Sequence, residues 1–171
     1  MIGSRESRRA RRRLGFLASL CWLALGASAA AKPDGFNVLL IVVDTLRSDR
    51  IGCYGYGRDA SPAIDRLAAQ GTRFDRAYSP SSWTQPSIAS MLTGKYPSSH
   101  SLTRINQSLP HSVTTLAEIL KEHGYATSGV VSHRLVTSRF QFDQGYESYH
   151  ESEARGHDHI STAGVTREAV E

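Results

Sequence analysis

Apolar positions along the chain fall into alternating strand-like and helix-like patterns. Residues 36–44 form a continuous apolar and β-branched run ending in Asp44, the pattern of a strand covered on both faces of a parallel sheet. A glycine-tyrosine loop follows at 52–57. Ser61 then stands before Pro62, the order expected of an N-cap and a first helical residue. Ile64, Leu67 and Ala68 with Ala63 give that helix an apolar face to Gln70, and Gly71 is its expected stop. Residues 72–78 alternate well enough for a second strand. A loop at 80–86 leads into a helix begun by Pro86 and closed by Gly94, so Thr84 lies just before a helix N-terminus. Thr115 and Glu118 have capping-box spacing for a helix ending at Gly124. A third strand is expected at 126–132 and a last helix from Ser161. The order of strands and helices predicts an α/β fold.

Composition changes this picture only at the N-terminus. The formal charge of +4 resembles a nucleic-acid signal, but six of the 20 basic residues, Arg5, Arg8, Arg9, Arg11, Arg12 and Arg13, precede residue 14. Without that segment, which also holds Glu6, 14 basic residues face 15 acidic ones, which argues against nucleic-acid binding. The basic start, the apolar stretch at 14–29 and the small residues Ala27-Ser28-Ala29 read as a cleavable signal peptide at 1–29. Residues 30–35 read as a linker, and 36–171 as the domain. Export to the periplasm or outside follows. An uncleaved leader would instead hold the chain at a membrane surface, although its apolar run is short against the roughly 20 residues of a spanning helix. Two arginine pairs hint at the twin-arginine route without the hydrophobic register that it needs. Cys21 would leave with the leader, so only Cys53 remains and no internal disulfide is expected.

Chemistry concentrates at two positions. Asp44 ends the first expected strand, and ligands of open α/β sheets gather beyond strand carboxyl ends. Thr84 precedes a helix N-terminus, which favours anions. A threonine hydroxyl is a weak nucleophile until a base or a metal activates it, and a carboxylate-bound divalent cation would do so. Against this stand two ordinary roles, a strand-end turn residue and an N-cap. Gly156-His157-Asp158-His159 contains zinc-type ligands, but its spacing fits a solvated loop better.

Four stretches in order, 37–55, 61–71, 84–97 and 115–127, resemble the N-terminal region of the sulfatases, members of the alkaline phosphatase superfamily. The resemblance covers residues 36–149 and implies an alkaline-phosphatase-like sandwich, a largely parallel central sheet flanked by helices, of which this chain is the N-terminal portion. In sulfatases the nucleophile opens a Cys-or-Ser, x, Pro, Ser, Arg motif and is oxidised to formylglycine. Here the window reads Thr84-Gln85-Pro86-Ser87-Ile88. Threonine cannot become formylglycine and the arginine is replaced, so the resemblance points to a threonine-nucleophile branch and no formylglycine is expected.

The resemblance implies a metal-dependent hydrolase of sulfuric or phosphoric esters, with Thr84 as nucleophile and with Asp44 and Thr84 binding a divalent ion (Ca, Mg, Mn or Zn). Lys95 stands where the family carries a basic residue near the nucleophile, and is expected to contact substrate and assist catalysis. A solvated lysine at a helix end is the alternative. The family's Gly-Lys-Trp-His signature falls at Val131-Ser132-His133-Arg134, where His133 is the remaining candidate for substrate binding, against an ordinary surface histidine. Thr45 replaces a second acidic residue, and Asp49 reads as structural. The family's distal metal ligands lie beyond residue 171, so this chain alone is expected to be inactive. Two other readings stay open: a phosphoglycerol-type transferase of the same fold, and a non-catalytic module binding anions or glycans.

Overall fold

The computed structural model describes residues 35–152, 154 and 162–170. The expected leader at 1–29 and the histidines at 157 and 159 lie outside the described residues. Five α-helices are present among them: α1 (Pro62–Gln70), α2 (Thr84–Thr93), α3 (Pro97–His100), α4 (Leu116–Glu122) and α5 (Thr162–Val170). Two short strands, β1 (Ser128–Val130) and β2 (Ser148–His150), pair in parallel, with Ser128 opposite Ser148 and Val130 opposite His150. Single 3-10 turns fill parts of the connections, at Ser48–Arg50, Gly52–Tyr54, Arg134–Val136 and Ser138–Phe140. Helices with a parallel strand pair make this an α/β arrangement.

The core forms around α2. Gln85, Ala89 and Leu92, with Ile88 between them, recur at helical spacing on one stripe, and Ala89 packs with Leu102, Leu109, Leu135, Val136, Phe140 and Phe142. Leu102, Leu109 and Phe142 are fully buried, each worth about 1.5–3 kcal/mol of apolar transfer. These residues come from loops and 3-10 turns rather than from regular elements. Hydrogen bonds hold those loops in place: Leu109 N–H donates to the Phe140 carbonyl, and Tyr149 Oη donates to the Val136 carbonyl at 2.6 Å.

α4 forms as its capping residues dictate. Thr115 Oγ1 accepts from Glu118 N–H at 3.2 Å, and Glu118 Oε2 accepts from Thr115 N–H at 2.7 Å, completing both halves of the box. The Thr115 hydroxyl also donates to the Gln144 carbonyl at 2.9 Å, tying the helix start to the turn before β2. Gly145, at φ +87°, lets that turn lie against the backbone of Ala117 and Glu118, where any Cβ would collide.

Four expectations are corrected. Residues 36–44 form no strand, and every residue from 35 to 50 is exposed, Phe36 at 92% and Leu39 at 83%. A strand buried on both faces needs ladder partners and covering layers, and among the described residues β1 and β2 pair only with each other. Residues 72–78 are likewise irregular. Their contacts include an Arg73–Asp75 ion pair of 2.7 Å, an Arg73 hydrogen bond to the Cys53 carbonyl, and the Phe74 carbonyl accepting from Tyr54 Oη at 2.9 Å. The third strand shortens to Ser128–Val130. Ser61 precedes α1 but makes no cap bond. Its hydroxyl accepts from Gly52 N–H at 2.8 Å and donates to the Asp65 carboxylate, which also accepts from Cys53 N–H at 2.6 Å. The loop at 52–57 is thereby bolted to α1.

Candidate active site

α2 begins at Thr84, two residues earlier than its proline suggests, with Trp83 as N-cap. Pro86 becomes the third helical residue, where its missing N–H is one of those a helix start leaves unpaired anyway. Thr84 is therefore half-buried in the first turn rather than before it. Across 40 residues of sequence its hydroxyl donates to Asp44 Oδ2 at 2.8 Å. The two residues singled out in the sequence are thus in contact, as a hydroxyl donor and a carboxylate acceptor.

Asp44 sits on a turn rather than at a strand end. The next residue, Thr45, has φ +60°, a left-handed conformation that β-branched residues rarely adopt. Such a conformation costs on the order of 1–3 kcal/mol, and strain of this kind clusters at functional sites. Asp49 faces Arg47 in a two-pronged ion pair, Nε to Oδ1 at 2.8 Å and Nη2 to Oδ2 at 2.6 Å. That hydrogen bonding holds its carboxyl below the usual range. Asp49 is occupied locally, as a structural residue would be.

The other two candidates have local surroundings of their own. Lys95 follows Gly94, the left-handed C-cap of α2, so ten residues of helical rise, about 15 Å, separate its end of the helix from Thr84. A lysine beside a helix C-terminus is in its ordinary electrostatic place. His133 is half-buried and its Nδ1 accepts from Leu135 N–H at 3.2 Å, capping the 3-10 turn at Arg134–Val136. That bond gives it a local structural role.

Carboxylate and hydroxyl oxygens suit hard divalent cations in kind. Two such oxygens fall short in number, because these ions take four to eight ligands. Among the described residues no group of three or more His, Cys, Asp or Glu side chains converges on one point.

The sulfatase family model matches residues 36–162. The chain belongs to the sulfatase family. This sulfatase-family chain is 36% identical to human iduronate 2-sulfatase over 140 residues, 78% of this chain and 25% of the relative. It is 40% identical to bovine arylsulfatase A over 111 residues, 61% of this chain and 21% of that protein. It is also 42% identical over 100 residues to N-acetylgalactosamine-6-O-sulfatase of Bacteroides thetaiotaomicron, 56% of this chain and 19% of that protein. The chain thus spans a quarter or less of the length of these three relatives. No solved structure matches it.

Two features of this sulfatase-family chain escaped sequence reasoning. Gln85, beside Thr84, is fully buried and its amide is paired at both ends. The inward stripe of α2, with Gln85 one turn before Ala89, was the available signal. His100 is also fully buried. Its Nδ1 accepts from Leu102 N–H at 3.1 Å, which leaves the ring proton on Nε2 to meet Ser90 Oγ at 3.0 Å. Burial lowers its pKa from the ordinary value.

Proposed function

We propose that the protein hydrolyses sulfuric or phosphoric esters, with Thr84 as nucleophile and Asp44 as its partner. The 2.8 Å hydrogen bond from Thr84 Oγ1 to Asp44 Oδ2, at the first turn of a ten-residue helix, carries this reading. In the first step Thr84 Oγ1 bonds to sulfur or phosphorus, its proton passes to Asp44, and the ester bond to the alcohol breaks. The departing alcohol takes up a proton. Water then cleaves the threonine ester, releasing sulfate or phosphate and restoring the hydroxyl. The N-terminal dipole of α2 favours the anionic substrate and the charge growing on it. A divalent cation held by Asp44 and Thr84 would supply further polarisation of the hydroxyl.

Threonine also bears on the cofactor. Oxidation at its Cβ yields a ketone and not the aldehyde of formylglycine, so this reading uses the hydroxyl itself. The reading extends to the whole protein: an exported enzyme with an alkaline-phosphatase-like sandwich, a leader at 1–29, a linker at 30–35 and a catalytic domain from residue 36. Its substrate is an anionic ester and not a nucleic acid. Thr84→Ala in the full-length protein is expected to lower turnover of nitrophenyl sulfate or phosphate by at least about a thousandfold, with Thr84→Ser retaining part of the rate. Undiminished turnover by the alanine variant would refute the assignment. Product analysis with an added alcohol distinguishes a transferase, which yields a new ester.

A further inference from the structure

Nothing in the reaction above accounts for Gln85, the most fully paired buried side chain next to the nucleophile. Its Nε2 donates to the Leu135 carbonyl at 3.0 Å and to the Gln107 carbonyl at 3.3 Å, while its Oε1 accepts from Asn106 N–H at 3.1 Å. The three partners are main-chain groups of two separate segments, the loop at 103–109 and the 3-10 turn at Arg134–Val136. Both segments are themselves braced. Gln107 Oε1 accepts from Thr103 and Arg104 N–H, and His133 caps the turn. Asn106 adopts φ +61°, which aims its N–H at the amide. Gln85 has no exposed surface.

A buried amide with donors and acceptor all engaged has little freedom to shift, because any displacement leaves a polar group unpaired away from water. Ordinary core packing would place an apolar residue at this point of the inward stripe. A glutamine there fixes the rotation of the first turn of α2 and its position along the axis, since the three bonds pull toward different strands of chain. Thr84 is one residue away on the same turn, and its partner Asp44 sits on an exposed segment that contributes no rigidity of its own.

We propose that Gln85 is the positioning residue for Thr84, holding its hydroxyl where Asp44 can accept from it. The inference rests on the Asp44–Thr84 pairing used in the proposed function. It acts through Thr84 and needs no contact with substrate.

The test uses the whole chain, labelled at threonine methyl groups, and reads the Thr84 methyl resonance with and without Asp44→Asn. In otherwise wild-type chain Asp44→Asn moves that resonance. In Gln85→Met, which fills the site and lacks all three bonds, Asp44→Asn is expected to leave it unmoved. Amide exchange of residues 87–89 is expected to rise by on the order of tenfold or more. Thr115→Val serves as the control for general destabilisation, and there the Thr84 response is retained. An equal response in Gln85→Met, or its loss in Thr115→Val as well, overturns the inference while leaving the pairing intact. Absence of any response in wild-type chain removes the pairing and both readings together. Should Gln85→Met fail to fold, the wild-type side-chain amide protons of Gln85 decide: protection from solvent exchange is expected, and free exchange refutes the role.

Discussion

Thr115→Val removes one oxygen and keeps the shape, so the loss of stability can be worked out from the bonds of that oxygen. Thr115 is 1% exposed, and valine preserves both its branching and its volume, leaving no cavity. Losing the acceptor for Glu118 N–H removes an N-cap, worth about 1 kcal/mol within a range of 0.5–2. Losing the donor strands the Gln144 carbonyl in a buried position, at a cost of about 1–3 kcal/mol. Among the described residues Gln144 Oε1 is likewise buried without a protein partner, so no spare protein donor stands beside it. The expected loss is therefore about 2–4 kcal/mol. Urea unfolding followed by circular dichroism, with a slope of roughly 1–3 kcal/mol per molar, turns this into a midpoint about 1–2 M lower. Thr115→Ser, which keeps the oxygen and loses a methyl, should cost only about 1 kcal/mol. If valine costs no more than serine, the hydroxyl contributes nothing and the account of the α4 start is wrong.

Acid should weaken the fold through His100. Its pKa is lowered in the native state, so below the unfolded value of about 6.5 the unfolded chain binds more protons, and stability falls as pH drops from there toward the native pKa. His100→Gln should flatten that dependence between pH 7 and 5 in unfolding titrations, and an unchanged slope would exclude His100 as its source. The chain alone should bind Mg, Ca, Mn or Zn more weakly than about 1 mM and turn over no nitrophenyl ester. A tight stoichiometric ion in calorimetry, together with turnover, would contradict the two-ligand description. Gly145→Ala should destabilise by more than Gly55→Ala, because both require positive φ but only Gly145 also faces backbone atoms within contact distance. Equal midpoints would show that the close approach to α4 is not maintained.

Local signals in the sequence proved the most legible. Proline starts, glycine stops and the Thr115–Glu118 pair located α1, α2 and α4 because each acts through the backbone of its own turn. The pairing of Asp44 with Thr84 was legible as two separate hints, a carboxylate after an apolar run and a hydroxyl at a helix start. Their contact required the fold. Strands were read less well, since residues 36–44 and 72–78 have the right composition but form no ladder, and a ladder is decided by distant chain. Burial of Gln85 and His100 was hidden for a related reason. Polar residues enter a core only where loop carbonyls and amides meet them, and those loops carry no periodic signal. Lys95 was put forward by sequence resemblance alone, and it follows Gly94, the C-cap of α2.

The bare run from Val38 to Val43 has a further consequence for anyone handling the chain. Six consecutive apolar residues, three of them valine and one isoleucine, lie open to solvent with neither charge nor proline among them. Unpaired segments of this composition are templates for intermolecular cross-β stacking. Protein concentration thus becomes a variable in every solution measurement, and an aspartate or lysine at Leu40, exposed by half, is the natural gatekeeper to introduce before any of them.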